Sequence, residues 1–218
     1  MSLFNRAEVI DENFISFLNV EKFPQAQTNL KLNQTNIRSS DLISIFESQI
    51  MSRHIDLKAR SLKDEGKCFY TIGSSGHEGN AVFGSVFPYT DTAFLHYRSA
   101  PFFLERSKQI DATTPLYDMA LSFMASSDDP ISGGRHKVIG SKLLNIPPQT
   151  STIASHLPKA VGMAFSINLS KSLNISDQDS KNNKIVLCSF GDASVNHASA
   201  LSAFNTASWI VNKGGHVP

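Results

Sequence analysis

The segment Phe190-Gly191-Asp192-Ala193-Ser194-Val195-Asn196-His197 sets small residues and one carboxylate directly behind an apolar run. Holding a diphosphate through a divalent cation takes backbone N–H donors, the close approach that small side chains permit, and a hard carboxylate oxygen for the metal. Gly191, Ala193 and Ser194 can supply the first two, and Asp192 the third. The same residues also spell a Gly-Asp turn capping a helix, and residue chemistry alone leaves both readings open.

His136 is the second chemical candidate. It sits in Gly133-Gly134-Arg135-His136-Lys137, a setting that predicts a mobile, exposed imidazole titrating near neutrality. Such a group suits proton transfer or the binding of a substrate carboxylate, and a solvated loop histidine is the plain alternative. His77, His96, His156 and His197 lack the ligand spacing of a zinc site and the cysteines are unpaired, so no metal role falls to them. Gly73-Ser74-Ser75-Gly76 has His77 where a nucleophile elbow needs glycine, which argues against a serine hydrolase. Gly140-Ser141-Lys142 has the wrong order for a P-loop and no strand before it.

The elements that must carry these residues follow from periodicity. Residues 1–40 are polar and irregular and read as an N-terminal arm, with Phe14, Phe17, Leu18 and Phe23 available to anchor it. Ser39-Ser40-Asp41 offers a cap, and Leu42, Ile45, Phe46, Ile50 and Leu57 then recur at near-helical spacing as far as Gly66, predicting a long amphipathic helix. Residues 68–72 and 94–97 read as short strands, with a small-residue turn at 73–76 and a helix starting near His77. A helix over 117–125, a functional-length loop over 126–140 and a tightly packed helix over 153–169 follow. Residues 168–184 read as a solvated excursion. Residues 184–190 form a nearly continuous apolar run, the pattern of a strand buried on both faces, and a small-residue helix runs from about 196 to 211. Strand, acidic tight turn and helix in succession describe an α/β domain that binds its ligand at the carboxyl ends of its strands.

The 218 residues are 41% hydrophobic and 18% charged with a net charge of +1, enough for one substantial core and without the basic stripe that nucleic acid demands. Residues 1–19 resemble neither a secretory signal nor a transit peptide, and no run is long enough to span a bilayer. Cys68 and Cys188 are distant in sequence and read as two buried thiols in a reducing, cytoplasmic compartment.

Beyond these readings, Gly191-Asp192-Ala193-Ser194-Val195-Asn196-His197 resembles the opening of the thiamine diphosphate motif in branched-chain-type 2-oxo acid dehydrogenases. Gly76-His77-Glu78, His96-Tyr97-Arg98-Ser99, Gly133-Gly134-Arg135-His136-Lys137 and Ser151-Thr152-Ile153-Ala154-Ser155-His156-Leu157-Pro158 stand in that family's order and approximate spacing. The resemblance implies a transketolase-like α/β fold with a mostly parallel sheet flanked by helices, an incomplete thiamine diphosphate-binding domain over 41–218, truncated at its C-terminal side. It also implies the cofactors thiamine diphosphate and Mg2+. Carried over by position, Tyr97 and Arg98 would contact the diphosphate, Asp192 would bind magnesium, and Gly191, Ala193 and Ser194 would line the phosphates. Ser155 would lie near the pyrimidine, Leu157 would wedge beneath the thiazolium, and His136 and Ser155 would take the catalytic roles.

The implied activity is oxidative decarboxylation of a branched-chain 2-oxo acid with reductive acylation of lipoamide. Its implied partners are a β-type half, fused or separate, and a lipoyl-bearing acyltransferase, in an oligomeric assembly. Pyruvate or acetoin as substrate, or a noncatalytic partner protein, are the alternatives. The sequence departs from the family where the motif's closing Asn pair would fall after Pro218, where Ala193 stands for the usual second Gly, and in lacking the later His-bearing loop and the partner's Glu. Asn205 lies in the preceding helix, too early to be that ligand, so the 218 residues alone are expected to bind cofactor weakly or not at all.

Overall fold

The computed structural model describes residues 6–21, 31–111, 113–175 and 184–218. Within the expected irregular arm, Arg6–Asn19 form a helix (α1), followed by a 3-10 turn at Leu32–Gln34; Phe23 lies outside the described residues. Phe14 and Leu18 remain exposed. Helix α2, Ser39–Asp64, starts two residues inside the expected arm and ends just before Gly66, whose positive φ reverses the chain. Asp41 secures its first turn by accepting from the Arg38 backbone N–H at 3.2 Å and from the Arg38 guanidinium at 2.7 Å.

The face that α2 buries differs from the expected one. Leu42, Phe46 and Ile50 are exposed, whereas Ser48, Ser52, Ile55, Asp56 and Ala59 are buried. The reason is polar satisfaction. Ser48 donates to Glu105 Oε2 at 2.6 Å and Asp56 accepts from Ser74, so small hydroxyls with partners pack more closely than branched apolar groups do.

Helix α3 covers Asn80–Val86 and α4 Ala100–Ser107, with β1, Thr92–Phe94, between them. All eight residues of α4 are buried, Glu105 and Arg106 included. Arg106, fully covered, donates to Asp91 O at 2.8 Å and lies 4.5 Å over the Phe102 ring. Burial pushes its pKa down to about 10. Helix α5, Pro115–Phe123, closes the main core with Met119 and Phe123 against Ile55, Leu95, Phe103 and Leu104.

A hairpin follows, β2 (Ile139–Ser141) antiparallel to β3 (Ile146–Gln149). It flanks β1, since Ala93 N donates to Asn145 O at 3.1 Å. Helix α6, Leu157–Ser172, strand β4, Val186–Cys188, a 3-10 turn at Asp192–Asn196 and helix α7, Ala198–Asn212, complete the described chain. Strand β4 runs parallel to β1 with Thr92, Ala93 and Phe94 opposite Val186, Leu187 and Cys188.

This is an α/β domain with a small parallel sheet flanked by helices. The expectation of a mostly parallel sheet is corrected, because the described residues hold one parallel pair and one antiparallel hairpin. The expected strand over 68–72 is irregular backbone, and β1 starts two residues before the expected 94–97. Strand β4 is half-buried rather than enclosed on both faces. Helix α6 extends through the start of the expected excursion, while residues 176–183 lie outside the described ones. Both cysteines are free and half-buried, and burial pushes the Cys188 thiol up to about 12. Among the described residues no helix is long and apolar enough to cross a membrane.

Candidate functional site

The carboxyl ends of β1 and β4 lie side by side, and the loops leaving them bring together residues far apart in sequence. Leaving β1, the chain passes through Leu95, His96, Tyr97, Arg98 and Ser99 before entering α4; leaving β4, it passes through Ser189, Phe190, Gly191 and Asp192. Ser189 joins the two loops. Its N–H donates to Phe94 O at 3.0 Å, its hydroxyl accepts from His96 N–H at 2.9 Å and pairs with Ser99 Oγ at 2.9 Å, and its carbonyl lies 2.7 Å from His156 Nε2. Ser99 stands at the cap position of α4, yet its hydroxyl is engaged with Ser189 and Asn80 rather than with the helix. Ser189, Ser99 and His156 carry no site role in the sequence reading, although Ser99 and His156 stand in the family-like motifs; the signal for Ser189 is a serine in the apolar run over 184–190.

His96 is buried at the centre. Its ring stacks on His77 with centroids 5.0 Å apart and planes 10° from parallel, and lies 3.9 Å from the Tyr97 ring. A Cβ added to Gly191 would sit in ordinary contact, 3.4 Å from His96 Nε2 and 3.7 Å from Ser194 Oγ, so the β4 loop lies directly against the histidine. Burial, with neighbouring His77, His156 and Arg98, lowers the His96 pKa to about 4, so this imidazole is neutral at physiological pH. The His77 pKa is lowered too, first by burial and then by Arg98, against the opposing pull of Glu78 and Asp192. His77 thus lies within electrostatic reach of both Arg98 and Asp192.

Arg98 is half-buried, 5.5 Å from the Tyr97 ring centroid, and its Nη1 donates to Gly73 O at 2.5 Å. Asp192 and Ala193 are exposed at the start of the 3-10 turn, and Ser194 is buried with its N–H donating to Gly191 O at 2.9 Å. The Ser194 amide therefore serves the turn itself. His197 caps α7 by accepting from Ser199 N–H at 3.3 Å. Tyr97 and Arg98 from one loop and Gly191 to Ser194 from the other thus share one end of the parallel pair.

Ser155 and Leu157 bracket buried His156. Ser155 Oγ accepts from Gln149 Nε2 at 2.9 Å and donates to Thr152 O at 3.2 Å. Leu157 is only 2% exposed and packs with Ala154, Ala200 and Ala203, so its present contacts are those of a core leucine.

His136 departs from expectation. It is half-buried, its ring 4.3 Å from that of Tyr70 and 5.7 Å from that of Phe69, and both ring nitrogens are covered without a hydrogen-bond partner. Burial and adjacent Lys137 lower its pKa, so the exposed, near-neutral imidazole expected of a Gly-rich loop is replaced by one held neutral between two aromatic rings. Lys137 is itself buried, its pKa lowered to about 8 mainly by desolvation, and its Nζ contacts Ile72 O. Through that contact the His136 loop reaches the segment that Arg98 also touches.

The donor set fits a metal-bound diphosphate: a guanidinium fork, a phenol, a hydroxyl, small residues at the turn and one exposed carboxylate. Among the described residues no group of three or more His, Cys, Asp or Glu is placed to hold a metal ion.

A mitochondrial 2-oxoisovalerate dehydrogenase subunit alpha from Mus musculus is 22% identical over 207 residues, covering 93% of this chain and 43% of that protein. The chain thus spans less than half the length of this curated relative. The family model described as "Dehydrogenase E1 component" matches residues 47–211, from the middle of α2 to the end of α7. Because that match takes in both loops of the site and every element between them, the chain belongs to the dehydrogenase E1 component family.

Proposed function

We propose that this domain grips the diphosphate end of thiamine diphosphate through magnesium, as the α-type half of the decarboxylating component of a 2-oxo acid dehydrogenase acting on a branched-chain substrate. The observation that carries the reading is the meeting of His96-Tyr97-Arg98 with Ser189 to Asp192 at the carboxyl ends of β1 and β4. Family membership and the branched-chain alpha subunit among its relatives support it.

In this reading Arg98 binds phosphate oxygens with the guanidinium N–H groups beyond the one held by Gly73 O, and Tyr97 adds a phenolic donor. Asp192 would give magnesium one hard carboxylate oxygen. Neutral His77 and His96 form an uncharged wall that leaves the positive charge of Arg98 uncontested. Bound thiamine diphosphate supplies an electron sink in its thiazolium for the loss of carbon dioxide. Ser155 and Leu157, at the start of α6, would flank the pyrimidine and the thiazolium. His136 would accept a proton or a hydrogen bond from substrate once Phe69 and Tyr70 move off its covered, unpartnered nitrogens. A β-type half and a lipoyl-bearing acyltransferase complete the reaction, in a cytoplasmic assembly.

Arg98→Ala tests the grip. Charge-assisted hydrogen bonds contribute roughly 1.5–3 kcal/mol, so affinity for thiamine diphosphate in the complete protein should fall by about ten- to a hundredfold. Turnover at saturating cofactor should change much less. Calorimetric titration with cofactor and magnesium measures this directly, and an unchanged affinity removes Arg98 from the diphosphate.

A further inference from the structure

Residues 72–75 link the end of α2 to the approach to α3 without forming regular structure, yet charged side chains from three other parts of the chain hold them. Lys137 Nζ donates to Ile72 O, and Arg98 Nη1 donates to Gly73 O at 2.5 Å. Asp56 Oδ2 accepts from Ser74 N–H at 2.7 Å and from Ser74 Oγ at 2.8 Å, and Arg53 Nη1 donates to Ser75 Oγ.

Two of these groups share one peptide unit. Gly73 C=O and Ser74 N–H are the two ends of a planar bond, and in the usual trans form they point in opposite directions. A carboxylate at the N–H end and a guanidinium at the C=O end both match the dipole of that unit. Rotating the peptide would break both contacts at once. Glycine is what lets Asp56 come this close, since a Cβ at position 73 would lie 3.1 Å from Asp56 Oδ2. Asp56 is only 6% exposed, and burial raises its pKa against the opposing effects of Ser74, Lys137 and Arg53.

We propose that Asp56, one helix away from the phosphate grip, is a positioning residue for Arg98: it fixes the Gly73–Ser74 peptide, and the peptide carbonyl then aims the guanidinium. Arginine carries five N–H donors in a rigid fork, so anchoring one Nη sets the direction of the rest. The inference rests on the reading of Arg98 as a diphosphate ligand, which is why the test treats the two positions together.

The test is a double-mutant cycle in the complete protein, with calorimetric binding of inorganic diphosphate in the presence of magnesium as the readout. Asp56→Ala should weaken diphosphate binding about tenfold in the native background and have almost no further effect once Arg98 is alanine. Asp56→Asn, which keeps an acceptor for Ser74 N–H, should recover part of the loss. If Asp56→Ala does not fold, Gly73→Ala crowds the same carboxylate and should show the same dependence on Arg98. A loss of equal size with and without Arg98 would overturn the positioning role, and so would no loss in a folded variant. An Arg98→Ala protein that binds diphosphate normally, or an unaltered protein that does not bind it, would refute the proposed grip itself. Hydrogen exchange separates these outcomes: amides of residues 73–77 should lose protection in Asp56→Ala whether or not diphosphate binds, and unchanged protection there would also overturn the proposal.

Discussion

Replacing Asp192 with alanine in the complete protein should remove magnesium-dependent turnover while leaving the fold untouched. The side chain is exposed at the head of a 3-10 turn, and surface substitutions away from special contacts stay within about 0.5 kcal/mol. The unfolding midpoint should therefore hold. Function should not, because in the proposed site this is the carboxylate through which the chain grips the metal. Losing even an outer partner of a metal ligand commonly costs 10–100-fold, and losing the ligand itself should cost at least about a hundredfold. A magnesium titration of turnover, run beside thermal unfolding, tests both halves. Native turnover with native magnesium dependence would put the metal elsewhere.

The second large effect concerns stability. Alanine normally favours a helix over glycine by about 1 kcal/mol, yet at Gly84 in α3 an added Cβ would lie 2.6 Å from the Phe102 carbonyl oxygen, 3.1 Å from Glu105 Cβ and 3.2 Å from the Arg106 N. Two of the three obstacles are backbone of α4, whose residues are all buried, so the helices must separate to admit one methyl group. Overpacking of this kind costs about 1–3 kcal/mol. Gly84→Ala should land near the upper end, lowering Tm by about 4–12 °C for a domain of this size. Gly162→Ala in α6 is the control: nothing lies within 4 Å of its added Cβ, so the helical preference should show through as a small gain. Equal effects at the two positions would mean that α3 and α4 are not in the close contact described.

Local chemistry made some of this legible in sequence. The small residues and carboxylate of 190–194 marked a turn at a strand end, and the apolar run before them marked β4, because both signals lie within a few neighbouring residues. Helix α4 left no such trace. With Glu105 and Arg106 as buried as Phe102 and Phe103, it has no polar face, so no period separates inside from outside. The orientation of α2 was misleading for the converse reason: its buried serines and Asp56 are satisfied by Glu105 and Ser74, partners whose nearness depends on the tertiary fold. At His136 the neighbouring glycines predict an open loop, whereas Phe69 and Tyr70, from a segment expected to be a strand, close over it. The candidate site shows the same division. Tyr97, Arg98 and Asp192 could be picked out by chemistry and resemblance, while Ser189, which ties their loops together, could not.

The pairing of β1 with β4 bears on how the protein is made. His96 and Ser189, which join the two loops, are 93 residues apart, and a ribosome adds about 5–20 residues per second. For roughly 5–20 s after the first half of the grip has been synthesised, its counterpart does not exist. During that interval one edge of β1 lacks its parallel partner, and unpaired strand edges recruit other chains. The helices and hairpin around β1 can shield it while translation continues, and the proposed phosphate-binding end of the domain assembles only after Ser189 has been made.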